Sequence, residues 1–146
     1  MSVDSLVAQY LDCLKTEGKS PYTVRWHRAS LGQFAAWVRA NDHPEDPTRW
    51  STAMLRGYIV HQRERPAARG GTLSESGLNS LIRSLRAFCT WLHEEDWVDR
   101  DLFARVTIPR APRLVKDTLS AADVGALVDA ARSNRRNALR NEALLH

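Results

Sequence analysis

The apolar positions of this chain recur with a helical step almost from its first residue. Val3, Leu6, Val7, Tyr10, Leu11 and Leu14 follow the i, i+3, i+4, i+7 spacing of an amphipathic helix, with Ser2 as its cap and Gly18 beyond its end. Ser20-Pro21 opens a second helix, Ser as cap and Pro at the first helical position, where its missing N–H costs nothing. Val24, His27, Leu31, Phe34 and Val38 then step by three and four to about Arg39. Asn41 to Trp50 is a loop by its two prolines and acidic turn residues, predicted to face away from any nucleic acid. Ser51 or Thr52 caps a third helix that turns Met54, Leu55, Tyr58, Ile59 and Gln62 inward and stops at Pro66. Ala67 to Thr72, A-A-R-G-G-T, predicts a flexible connector.

Ser74 to Leu92 is the stretch with two readable faces. At about 100° per residue, Leu78, Leu81, Ile82, Leu85, Phe88, Cys89 and Leu92 fall on one arc, the predicted buried side. Ser76, Asn79, Arg83, Arg86 and Thr90 form a second stripe, roughly 140° around the helix, with no acidic residue on it. An arginine fork reaches guanine or clamps phosphate, and an asparagine pairs with adenine, so this stripe suits a helix laid in a major groove. The other reading of the same stripe is a solvated surface face.

That helix fades in Glu94, Glu95 and Asp96, and a short turn carries Leu102, Phe103 and Val106. Thr107 to Asp117, T-I-P-R-A-P-R-L-V-K-D, is predicted to be extended by its prolines and is positively charged through Arg110, Arg113 and Lys116, as an inter-domain linker would be. Ser120 caps a further helix expected to bury Val124, Leu127, Val128 and Ala131, and Asn141 to His146 starts an element that the chain does not finish. With no internal repeat and no convincing strand, the fold class is all-α.

Composition narrows the function classes. One domain's length, 146 residues, and a hydrophobic content of 43 % support a modest helical core, with five Trp and three Phe for bulk. The net charge of +4 suits a polyanionic partner without demanding one. Its distribution says more: residues 1 to 100 hold 13 Lys or Arg against 12 Asp or Glu, residues 101 to 146 hold 8 against 5. Cys13 and Cys89 lie within apolar helical patterns, without a disulfide framework or a metal-ligand spacing, so no cofactor is expected. No apolar run reaches the roughly 18 residues of a membrane span, and the N-terminus lacks a signal peptide's pattern, so a cytoplasmic protein is expected. Gly18-Lys19-Ser20 is no P-loop, because Cys13 stands where that motif needs glycine. His27, on an apolar stripe, reads as a core histidine. Lys19, Tyr22, Thr23, Arg25 and Arg28 gather around a helix start, where free N–H groups and the dipole favour an anion.

S-P-Y-T-V-R-W-H-R-A-S-L-G-Q-F at Ser20 to Phe34, S-G-L-N-S-L-I-R-S-L-R-A-F-C-T-W-L at Ser76 to Leu92, the I-P-R-A-P linker, L-S-A-A-D-V-G-A-L-V-D-A-A at Leu119 to Ala131 and R-N-E-A-L-L at Arg140 to Leu145 come in a telling order. Together they resemble the N-terminal half of tyrosine recombinases, the Xer-type recombinases and phage integrases, over essentially the whole chain. The resemblance implies a four- to five-helix orthogonal bundle, the SAM-like core-binding domain, over 1–106, a basic linker over 107–118, and the start of a catalytic domain over 119–146. His27 stands where the family usually has Tyr, and Asp101-Leu102 where Asn-Pro is common, so the turn there is expected to be built differently. The chain begins directly at the first bundle helix, which argues against an additional arm-binding domain.

In that family, catalysis uses Arg, Lys, a His-x-x-Arg pair and a Tyr nucleophile. None of the five histidines here has Arg three positions on, and Tyr10, Tyr22 and Tyr58 sit in bundle helices, so this chain is read as a non-catalytic part of a longer enzyme. The implied partner is duplex DNA, a recombination half-site. Phosphate contacts would fall to Lys19, Thr23, Arg25, Arg28, Arg110, Arg113 and Lys116, and base reading to Asn79, Arg83 and Arg86; Tyr22 and Ser76 complete the expected surface. The full-length protein is expected to self-associate on DNA and this chain alone to be a monomer. The alternative is a stand-alone helical module that binds DNA or an acidic protein without recombinase activity.

Overall fold

A computed structural model of the chain describes residues 1–108 and 120–133. The elements in order are α1 (Val3–Thr16), α2 (Pro21–Ala40), a 3-10 turn (Pro47–Arg49), α3 (Thr52–Glu64), α4 (Glu75–Glu94) and α5 (Ala121–Ser133). The chain divides into two compact units, Met1–Pro112 and Arg113–His146. The basic residues Arg110, Arg113 and Lys116 lie outside the described residues.

In the first unit, serine hydroxyls open all four long helices. Ser2, Ser20, Ser51 and Ser74 accept from the N–H of Ser5, Thr23, Met54 and Gly77, each a cap worth about 1 kcal/mol. α1 packs on α2, and α4 touches α1, α2 and α3. α4 is therefore buried over most of its circumference: besides the expected apolar arc, of which only Leu81 is half-buried, Ser84, Trp91 and Asn79 are buried on it. Phe34 sits at the centre of the bundle, its ring edge-on to Trp50 at 5.2 Å and to Tyr58 at 5.1 Å, while Tyr10 tilts against Phe88 at 5.5 Å. Leu102 and Phe103 of the turn after α4 are buried in the same core. The Asp101 carboxylate builds that turn by accepting from the Phe103 N–H at 2.8 Å.

Two expectations change here. The connector between α3 and α4 is a hydrogen-bonded turn, closed by an antiparallel bridge between Pro66 and Thr72 and by the Ala67 N–H donating to the Gly71 carbonyl at 2.8 Å. Its glycines supply the left-handed backbone the turn needs, φ +86° at Gly70 and +72° at Gly71; the composition that suggested flexibility is what closes the turn. In the second unit α5 starts as expected, with a reciprocal cap in which the Asp123 N–H donates to Ser120 Oγ and the Ser120 N–H and hydroxyl donate to Asp123 Oδ2. Those hydrogen bonds hold the Asp123 carboxyl below its usual range. Of its expected apolar stripe, Val128 is buried while Val124 and Leu127 are exposed, because an amphipathic face is buried only where another element covers it. The Ala131 side chain lies outside the described residues.

Candidate nucleic-acid interface

The start of α2 gathers cations through local geometry. α1 ends in a glycine motif: the Lys19 N–H donates to the Leu14 carbonyl and the Gly18 N–H to the Lys15 carbonyl, both at 3.0 Å, with Gly18 at φ +76°. This reversal sets Lys19 beside the first turn of α2. Lys15, Lys19, Pro21, Val24, Arg25 and Arg28 then line one shallow groove of about 320 Å³. Lys15 pairs with Asp12 at 2.6 Å and Lys19 with Glu17 at 3.8 Å, exposed contacts that hold little energy. Arg25 and Arg28 are exposed and make no ion pair among the described residues. Tyr22 is 72 % exposed beside them. Thr23 is committed to the cap: its N–H donates to Ser20 Oγ at 3.2 Å and the two hydroxyls lie 2.9 Å apart.

On α4, Ser76, Arg83, Arg86 and Thr90 are exposed, and the two arginines are without an ion pair among the described residues. Asn79 differs from the other four in burial. It is only 7 % exposed and its Oδ1 has no hydrogen-bond partner among the described residues. It lies in the first turns of α4, where the end of α3 comes alongside, as the 3.1 Å ion pair of Arg63 with Glu75 records. A helical wheel cannot see that neighbour.

The two helices are fastened at this level. His27 Nδ1 lies 2.9 Å from Ser84 Oγ across 57 residues of sequence, and both side chains are buried. Tyr10 stands edge-on to the imidazole at 5.4 Å and the Trp26 ring lies 4.5 Å away. His27 is therefore a core histidine, and burial holds its pKa below the ordinary 6.5. The unfolded chain takes up the proton more readily than the fold does. Stability is thus complete above about pH 6.5 and declines as pH falls toward the lower folded pKa. Melting temperatures measured at pH 7.5 and 5.5 should drop further for the wild-type chain than for His27→Asn, which keeps a polar group near Ser84 but does not titrate. Equal drops would remove His27 as the cause.

The profile of the phage integrase N-terminal SAM-like domain matches residues 7–96. The chain belongs to this family. Among its relatives, tyrosine recombinase XerC of Neisseria meningitidis is 29 % identical over 132 residues, covering 88 % of this chain and 42 % of the relative. Tyrosine recombinase XerD of Halalkalibacterium halodurans is 25 % identical over 145 residues, covering 99 % of this chain and 46 % of the relative. The chain thus spans less than half the length of these relatives. The crystal structure of the N-terminal domain of a phage integrase/site-specific recombinase from Haloarcula marismortui has the same fold. Its TM-score is 0.63 at 23 % identity, over 75 % of this chain and 97 % of that one.

In this integrase domain the described tyrosines split by burial. Tyr10 and Tyr58 are buried, and burial pushes both hydroxyls up to about 12, the opposite of what a nucleophile needs. Tyr22 stands free at the basic groove. The residue that sequence reasoning missed there is Lys15, on the polar face of a helix read only for its core. Its signal was the four-residue spacing to Lys19 across a helix end. Ser84 was missed for the converse reason: it falls between the two stripes of α4. No helix among the described residues is long and apolar enough to cross a membrane.

Proposed function

We propose that this chain grips duplex DNA as the N-terminal, non-catalytic part of a site-specific tyrosine recombinase. The observation that carries the reading is the set of exposed, unpaired arginines on two helices, Arg25 and Arg28 on α2, Arg83 and Arg86 on α4, with a buried hydrogen bond joining those helices between them. Lys15, Lys19, Arg25 and Arg28 meet phosphates, where Arg forks and Lys point charges replace condensed counterions. Tyr22 and Ser76 border the contact, and Arg83 and Arg86 reach base edges. Thr23 shapes the α2 start rather than binding strongly itself. On sequence grounds Arg110, Arg113 and Lys116 extend the phosphate contacts along the linker. The chemistry of strand exchange belongs to the rest of the parent protein, which works in the cytoplasm and assembles with further copies on its site; the isolated chain is a monomer.

Binding to duplex DNA measured by gel shift or anisotropy should weaken steeply with salt, at about −0.9 in log K per log salt for each phosphate neutralised. Affinity should be modest, since this chain is only part of the clamp. No binding at low salt, or binding indifferent to salt, would sink the reading.

A further inference from the structure

The α3–α4 connection carries an arginine that the fold does not use. Arg63 is ion-paired with Glu75 at 3.1 Å and Arg65 donates to Gln33 Oε1 at 3.2 Å, so both arginines at the end of α3 fasten it to α4 and α2. Arg69 is different. It is the third residue of the β-turn Ala67–Gly70, closed by the Gly70 N–H donating to the Ala67 carbonyl at 3.0 Å. It is exposed and has neither ion pair nor hydrogen bond among the described residues, Glu64 on the last turn of α3 included.

The turn is closed by backbone geometry without burying much. Ala67 is half-buried, and Ala68, Arg69, Gly70 and Gly71 are exposed. Backbone hydrogen bonds, the Pro66–Thr72 bridge and two left-handed glycines hold it instead. A side chain on a backbone closed in this way starts from a defined turn geometry, which lowers the ordering cost of any contact it makes. Four residues separate Arg69 from the Ser74 cap of α4, at most roughly 17 Å of extended chain, so the tip lies within that reach of the start of that helix. Glu75, the acid at this helix end, is already neutralised by Arg63.

We propose that Arg69 is a backbone-phosphate contact of the DNA duplex, on the flank of the segment that α4 faces. This rests on the DNA-binding reading above. The planar guanidinium fork suits a phosphate, and a phosphate contact here would fix how far α4 enters the groove without reading sequence.

The test uses the 146-residue chain and a random-sequence duplex, titrated over a range of salt concentrations. Arg69→Ala should weaken binding roughly fivefold to tenfold near 0.1 M salt and flatten the salt slope by about 0.9. Arg69→Lys should keep the slope. Wild-type affinity and slope in Arg69→Ala would overturn the contact while leaving the DNA-binding reading standing. Failure of the wild-type chain to bind would overturn both.

Discussion

Replacing Trp50 with Ala should cost about 3 to 5 kcal/mol of folding stability, the range for emptying an aromatic site in a packed core. Trp50 is fully buried, edge-on to Phe34 and 6.4 Å from the Phe88 ring. Its indole N–H donates to the Pro44 carbonyl at 2.7 Å, and its own carbonyl accepts from Arg100 at 2.9 Å. One residue thus plugs the core, pins the α2–α3 loop and ties down the segment after α4. Trp50→Phe keeps most of the ring area but leaves the Pro44 carbonyl without its donor, so it should lose less than the alanine variant. Urea unfolding of the three proteins measures the order. An unchanged midpoint in Trp50→Ala would mean that the loop refills the space.

Arg83→Ala and Arg25→Ala should fail in different ways. Arg83 is mid-stripe on α4, exposed and without an ion pair, where a helix in the major groove presents side chains to base edges. Arg25 sits in the basic groove at the α2 start beside Lys15 and Lys19, better placed for phosphate. Arg83→Ala is expected to lose about 1 to 3 kcal/mol on a cognate half-site and little on random DNA. Arg25→Ala is expected to weaken both alike and to flatten the salt slope by about one contact. A cognate site for the comparison comes from selection among random duplexes with the intact parent protein. Equal losses on both DNAs for both variants would mean that α4 only positions the domain.

The Ser-initiated helices, their lengths and most of their buried faces were legible in the sequence, because caps and a 3.6-residue period are local properties that neighbours rarely override. The basic cluster at Lys19, Arg25 and Arg28 was legible for the same reason, being set by a helix start and the turn before it. Whatever depends on which element lies opposite was not. The sequence marked Asn41 to Trp50 as a loop, but only packing made Trp50 a core residue. Ser84 and Asn79, both polar, fall outside the apolar arc of α4, yet both are buried, because α4 meets three other helices and no single helix encodes how wide its covered face will be. Lys15 joined the groove, and A-A-R-G-G-T became a hydrogen-bonded turn, only once the chain reversals brought backbone groups together. Patterning along a chain fixes where a helix forms and which side prefers the core. The identity of the neighbours, and so which polar side chains remain in water to meet a partner, is settled by tertiary contact.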